Sequence, residues 1–282
     1  MRFVTFLDDD QYRVAIVEGE RAVPVDLGAA GLGSIREIAA AGAAGQSAIR
    51  SWLDERTDRP SMRKDELPLG PVVPDPGAIY AIGLNYGPDG GPEPGRPQRP
   101  MVYAKLPGSV AGHGAALTWD RALTTTVDAE VELGVVIGLK AFAVPAADAM
   151  AHVFGYTCIN DVSSRDPWLD GDQWLLGKSM PGFCPVGPIV VTADELDPTD
   201  LRLGCTINGI AIQDGSTSQM RFSIAEAISY LSQHVVLRPG DLIATGTPAR
   251  LAGPLGPDRH LQTGDIVTVW IEQIGELTTS IA

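Results

Sequence analysis

The sequence predicts an α+β fold dominated by β-structure, a small N-terminal α+β unit leading into a larger β-rich domain. Two observations predict it. Gly (32) and Pro (22) are spread through the 282 residues without a repeat, which suits many short strands joined by turns. Short apolar, β-branched runs recur along residues 71–282, while helical patterning is confined to a few stretches.

Residues 1–70 form the leading unit and its linker. Phe3 to Phe6 and Tyr12 to Val17 read as strands. Ser34-Ile35-Arg36-Glu37 is a capping-box pattern, Ser accepting at the N-cap and Glu closing on the Ser amide. A helix follows to about Ala41 and another runs from Ala44 to Leu53. Asp58 to Gly70 is charged, contains Pro and lacks periodicity, so it reads as linker. In residues 71–282 the strand candidates are Ile79–Ile82, Met101–Lys105, Ala129–Ile137, Ile189–Val191, Leu203–Ile207, Asp241–Ala244 and Ile266–Ile271. A helix is predicted from Ala146 to Val153 behind Pro145, and a second from the capping box Ser223-Ile224-Ala225-Glu226 to about His234. Arg238-Pro239-Gly240-Asp241 is a turn, with Pro239 presetting φ and Gly240 accepting positive φ.

Composition narrows the function. With 44% hydrophobic residues the chain can bury a core. Lys and Arg total 21 against 35 Asp and Glu, a formal charge of −14. That sign argues against nucleic acid or an anionic membrane as partner, since both need a basic footprint. A small anionic substrate remains compatible, because a basic pocket can sit inside an acidic shell. The longest apolar run, Leu133 to Leu139, falls far short of a bilayer span. The N-terminus lacks an apolar signal core, and Cys158, Cys184 and Cys205 contain no CxxC; a cytoplasmic location is expected.

Four segments carry chemistry. In Asp128-Ala129-Glu130-Val131-Glu132-Leu133, an extended chain puts Glu130 and Glu132 on one face among apolar neighbours. Buried like charges need a positive partner, and a hard divalent cation is the economical one; an exposed edge strand with its acidic face in water is the other reading. Asn160-Asp161-Val162-Ser163-Ser164-Arg165-Asp166 offers Asp161 as a third oxygen ligand and Arg165 as a carboxylate clamp, or simply a turn. Gly177-Lys178-Ser179 fails as a phosphate loop, because the residues behind it after Gly171 are bulky and wrongly spaced. Lys178 is instead a buried base, an oxyanion partner or a surface lysine. Thr245-Gly246-Thr247-Pro248 is a turn whose hydroxyl and amides can hold a carboxylate.

Taken in order, these segments resemble the fumarylacetoacetate hydrolase (FAH) family. The run includes Ala81-Ile82-Gly83-Leu84-Asn85-Tyr86, Met101-Val102-Tyr103-Ala104-Lys105, Glu130-Val131-Glu132-Leu133-Gly134, Asn160-Asp161-Val162-Ser163-Ser164-Arg165-Asp166, Gly177-Lys178-Ser179, Phe183-Cys184-Pro185-Val186-Gly187-Pro188, Pro239-Gly240-Asp241 and Thr245-Gly246-Thr247-Pro248. The resemblance covers about residues 72–282 and implies a mixed β-roll catalytic domain, usually homodimeric, binding Mg²⁺ or Mn²⁺. It implies action on 2-oxo or β-dicarbonyl acids by C–C hydrolysis, decarboxylation or keto–enol isomerisation. By the same resemblance the metal ligands fall on Glu130, Glu132 and Asp161. The substrate-side groups fall on Arg165, Lys178 and Thr247, joined by Lys105 and Gln173.

The chain departs from the family in two informative places. Members carry a His three residues after the Asn-Tyr pair, then a Glu, on a short helix that closes over the site and activates water. Here Asp89 stands in the His position, and Glu93 comes one place later than the family's Glu. Nine of the fourteen residues from Gly87 to Pro100 are Gly or Pro, which argues against a helix. Asp89, Glu93 and His113 are the candidate substitutes for the missing base. Trp168 stands where the family often has a substrate-contacting Gln. Loss of the water-activating His weighs against hydrolysis more than against decarboxylation or isomerisation. A catalytically inactive binding protein, or a secondary-metabolism lyase, dehydratase or cyclase on this scaffold, is the alternative.

Overall fold

A computed structural model describes residues 1–56, 59–87, 97–166, 174–255 and 259–282 of the chain. Among these residues the fold is mostly β. One large mixed sheet runs in the order Met62–Arg63, Arg21–Pro24, Gln11–Glu18, Arg2–Asp8, Cys184–Thr192, Val153–Asn160, Val131–Ile137, Leu242–Ala244, Ile79–Gly83 and Met101–Lys105. A second sheet orders Ile210–Ser216, Arg202–Ile207, Ile266–Ile271, Gly275–Ile281 and Ala116–Leu117. No helix among the described residues is long and apolar enough to cross a membrane.

Three central strands, Val131–Ile137, Val153–Asn160 and Cys184–Thr192, are buried at every residue. Both faces are covered, which is why these segments read as continuous apolar runs and not as alternating ones. On one face Val131, Leu133 and Val135 pack with Leu203, Cys205, Val267 and Val269 of the second sheet. On the other, Val136, Phe154, Ile159 and Val190 pack with Ile35, Ile38 and Ile49 of the Ile35–Asp54 helix. At roughly 1.5–3 kcal/mol per fully buried large aliphatic side chain, this double burial is the main stabilising term. Gly155 is required by the close ladder, because a Cβ there would lie 2.3 Å from the Val191 carbonyl oxygen.

The leading unit joins this sheet directly. Phe3 and Arg2 pair antiparallel with Val190 and Val191. The strands expected at Phe3–Phe6 and Tyr12–Val17 form over Arg2–Asp8 and Gln11–Glu18. The two helices expected around residues 35–53 form as expected, meeting at Gly42, whose φ of 56° breaks the Ile35–Asp54 span.

Several expectations need correction. Ser34 caps the Glu37 amide as predicted, but the Glu37 carboxylate accepts from Gly33 N and not from Ser34 N, so that box stays open. The box at Ser223 does close, with Glu226 Oε2 accepting from Ser223 N at 2.8 Å, and its helix ends at Ser232, short of His234. The Ala146 helix is α-helical only to Ala149 and tightens to a 3₁₀ turn over Met150–His152. In the segment read as linker, Met62 and Arg63 pair with Ala22 and Arg21, and Gly70 N donates to Thr5 O at 2.9 Å. The strands Val153–Asn160, Ile210–Ser216 and Gly275–Ile281 were not among the expected ones.

Candidate active site

The site forms where two neighbouring antiparallel strands meet at one end of the large sheet. The Val131–Ile137 strand enters there and the Val153–Asn160 strand leaves, with Val131 opposite Asn160 and Glu132 opposite Ile159. Glu130 and Glu132 share one face by the two-residue period, and Asp161 falls two past Ile159 on that same face. Backbone bonds lock the junction: Asp161 N donates to Glu130 O at 2.9 Å, and Glu130 N to Asn160 Oδ1 at 3.1 Å. Glu130, Glu132 and Asp161 thereby bring one carboxylate oxygen each to within 4.8 Å of one another.

Asp161 is fully buried and heavily held. Lys105 Nζ donates to Oδ1 and Lys178 Nζ to Oδ2, each at 2.5 Å, and Tyr103 OH donates to Oδ2 at 2.7 Å. Burial pushes this carboxyl up, but Lys105 and Lys178 outweigh it and hold it far below the usual carboxylate range. Glu132 goes the other way. Burial, then the Asp161 and Glu130 charges, push its carboxyl well up, against Lys178 and the Gly246 amide, which donates at 2.8 Å. Gly246 sits at φ 98°, and a Cβ there would lie 2.7 Å from Asn85 Cβ. Asn85 in turn ties the neighbouring chains together: its amide nitrogen donates to Thr245 O and Phe222 O, and its oxygen accepts from Phe222 N.

Lys178 is buried and donates to Asp161, to Ser163 Oγ at 2.7 Å and to Glu130 Oε2 at 3.2 Å. Burial lowers the affinity of its amine for a proton, but Asp161 and Glu130 more than restore it, so its pKa is raised. The neighbouring carboxylates thus favour its ammonium form. Arg165 leaves the short ribbon pairing Ser163–Ser164 with Val127–Asp128. Its guanidinium pairs with Glu130 and places Nε 3.2 Å from Asp128 Oδ2.

Glu130, Glu132, Asp128, Arg165 and Lys178 line a cavity of about 310 Å³ that also exposes Tyr86, Trp174, Gln213, Thr247, Pro248 and Arg250, while Asp161 lies fully buried behind its wall. Of the expected site residues, Glu130, Glu132, Arg165, Lys178 and Thr247 reach the cavity wall. Thr247 Oγ1 accepts from Gln213 Nε2 at 2.7 Å. Lys105 does not reach it: the side chain is fully buried behind Asp161 and also donates to Val162 O. Asp89, Glu93, Gln173 and Trp168 lie outside the described residues. His113 is not in the cavity wall; its Nδ1 accepts from Thr278 N, and burial lowers its pKa.

Sequence reasoning missed Tyr103, Asp128 and Arg250. Tyr103 lies two before Lys105 and Asp128 two before Glu130, so the same two-residue period pointed to both. Arg250 reaches the wall from a loop, which has no such period.

The comparisons with known proteins bear on this geometry. Residues 79–282 match the family model described as "Fumarylacetoacetate (FAA) hydrolase C-terminal". An uncharacterized protein of Staphylococcus haemolyticus is 41% identical over 215 residues, covering 76% of this chain and 71% of that one. The fumarylacetoacetate hydrolase structure from Exiguobacterium antarcticum superposes with a TM-score of 0.84 at 29% identity, over 100% of this chain and 99% of that one. The 2-hydroxyhepta-2,4-diene-1,7-dioate isomerase structure from Mycobacterium marinum gives 0.78 at 28% identity, over 100% of this chain and 98% of that one. Maleylpyruvate hydrolase from Sphingobium sp. SYK-6, in complex with manganese(II) and pyruvate, gives 0.81 at 25% identity, over 100% and 99%. By its family model, its fold and its relatives, the chain belongs to the fumarylacetoacetate hydrolase family.

Proposed function

We propose that this chain is a divalent-metal-dependent enzyme acting on a 2-oxo acid or β-dicarbonyl acid. The observation that carries the reading is the convergence of Glu130, Glu132 and Asp161 at a cavity whose wall carries the two glutamates, Lys178 and Arg165, with Asp161 buried directly behind it. The donor set fits Mg²⁺ or Mn²⁺, because all three ligands are hard carboxylate oxygens. Glu132 strengthens the fit: buried beside two other carboxylates, it is unfavourable as an anion without an added cation. When bound, such a cation supplies a Lewis acid at the keto oxygen of the substrate.

The chain's own residues supply the rest. Arg165 orients the substrate carboxylate as a forked donor. Lys178, held by Asp161, Ser163 and Glu130, donates to the oxygen on which negative charge develops. Trp174 and Pro248 give the cavity an apolar side that limits water. The segment from Gly87 to Pro100 contains no histidine to activate water, and His113 sits elsewhere. Keto–enol isomerisation and decarboxylation, which need an electron sink and a proton donor, are therefore favoured over C–C hydrolysis.

The test pairs calorimetric Mn²⁺ titration of EDTA-treated protein with assays of oxaloacetate decarboxylation, oxaloacetate tautomerisation and acylpyruvate hydrolysis. Wild type binds Mn²⁺ and turns over only when loaded, and Glu132→Gln loses both. Turnover by metal-free protein sinks the reading. Metal binding without turnover of any substrate indicates an inactive binding member of the family.

A further inference from the structure

We propose that Gln213 is a positioning residue that commits the Thr247 hydroxyl to donate its proton to an oxygen of the bound acid. The inference rests on the 2-oxo acid reading above and deepens it. Gln213 belongs to the Ile210–Ser216 strand of the second sheet, apart from the strands that carry the acidic trio. Cys205 lies opposite Gln213 and Thr206 opposite Ala211, so Ile212 is the extra residue of a bulge. A bulge re-aims the side chain beside it, and Gln213 is here buried and reaches the cavity wall. Its Oε1 accepts from Val131 N at 2.9 Å, and its Nε2 donates to Pro248 O and to Thr247 Oγ1, each at 2.7 Å. Val131 sits between Glu130 and Glu132, so this one side chain fixes Thr247 relative to the two glutamates.

Only one orientation of the amide satisfies these partners. A backbone N–H can only donate, so Val131 N requires the oxygen; a backbone carbonyl can only accept, so Pro248 O requires the nitrogen. Both Nε2 protons are then engaged, one by Pro248 O and the other by Thr247 Oγ1. The Thr247 hydroxyl has one proton of its own, and because Gln213 meets its oxygen as a donor, that proton points elsewhere. Thr247 is half-buried in the cavity wall, and its hydroxyl makes no other hydrogen bond among the described residues. The open direction is the cavity. A hydroxyl free to turn offers either a proton or a lone pair; this one offers a proton, which suits a carboxylate oxygen that can only accept.

Calorimetry of oxalate binding to the full-length Mn²⁺-loaded protein tests the assignment, since oxalate offers a cation paired oxygens as a 2-oxo acid does. Thr247→Val binds oxalate about tenfold more weakly than wild type, the scale of one hydrogen bond to a charged group. Thr247→Ser, which keeps the hydroxyl, restores most of that affinity. Gln213→Glu keeps an acceptor for Val131 N but sets a carboxylate oxygen against Thr247, drawing the hydroxyl proton out of the cavity. It loses about as much oxalate affinity as Thr247→Val, with no fall in Mn²⁺ affinity. That loss vanishes when Gln213→Glu is made in the Thr247→Val background, whereas the added charge by itself, or a loosened strand, weakens binding in both backgrounds. Gln213→Met, which also removes the donor to Thr247, carries the same cycle if Gln213→Glu does not fold, with circular dichroism reporting the fold of each. An equal loss in both backgrounds, or a loss in neither, overturns the role of Gln213 and leaves the 2-oxo acid reading standing. Wild-type affinity in Thr247→Val overturns the donor itself. Failure of the Mn²⁺-loaded wild type to bind oxalate overturns the underlying reading and the inference with it.

Discussion

Lys105 and Lys178 grip opposite oxygens of one carboxylate, Asp161, each at 2.5 Å. Lys105 approaches from the buried side and Lys178 from the cavity side, where it also meets Glu130. The arrangement keeps Asp161 ionised and fixes its oxygens, while leaving only one of the two ammonium groups facing a ligand.

Lys105→Met therefore removes a scaffold and not a substrate contact. It leaves the buried Asp161 short of one counter-charge, at a cost of about 3–5 kcal/mol. Urea denaturation is expected to show that loss. An unchanged midpoint would mean that Asp161 does not depend on Lys105.

Glu132 and Asp161 carry opposite pH signatures. The folded Glu132 carboxyl is raised, so the native state binds the proton more tightly than the unfolded chain. Its contribution to stability is full below the unfolded value of about 4.3 and is lost as pH rises through the raised folded value. Asp161 is depressed in the fold, so its contribution is present above about pH 3.9 and is lost as pH falls toward the folded value. Melting of EDTA-treated protein between pH 4 and 9 should fall more steeply toward high pH for wild type than for Glu132→Gln. Added Mn²⁺ should stabilise wild type and close that gap. Parallel curves for the two metal-free proteins would contradict the assignment.

Gly246→Ala should damage the site through the backbone. The new Cβ meets Asn85 Cβ at 2.7 Å and Ile82 O at 2.9 Å, at a φ that alanine avoids. A shift there moves the amide that donates to Glu132. Stability should fall by more than about 1 kcal/mol, with Mn²⁺ affinity falling alongside it. Calorimetry at a temperature where the variant is folded separates the two effects.

Asn85→Ala removes three buried hydrogen bonds that join the loop after Ile79–Gly83 to Thr245 and Phe222. It strands buried backbone groups, each worth about 1–3 kcal/mol when unpaired. The melting temperature should drop by several degrees. A change within experimental error would show that water replaces the side chain.

The acidic trio was legible in the sequence through the order of its motifs. Two carboxylates at a two-residue spacing beside apolar neighbours left a cation site and a solvated edge strand both open, and it was the family resemblance that joined Asp161 to them. The partners of Asp161 were harder to see. Lys105 lies 56 residues from it, and nothing in that separation says that the lysine faces inward to a carboxylate and not outward to substrate. Arg250 and His260 converge on Asp128 across more than 120 residues from loops without periodicity. The strand Val153–Asn160 escaped as a strand because burial on both faces erases alternation, the usual mark of a strand. The Ser34 box looked closed because composition gives the right residue types, while the Glu37 rotamer that chooses Gly33 is set by three-dimensional detail.

The carboxylates inherit their positions from two hydrogen-bonded main chains, whereas Thr247, Pro248 and Arg250 hang from a turn, and Arg165 from a two-residue ribbon. Grip and taste are thus built on separate parts of the molecule. Rewriting residues 247–250 should redirect which acids are accepted while the reactive centre keeps its form. For anyone wishing to repurpose this scaffold, that turn is the dial, and the paired strands beneath it are the part to leave alone.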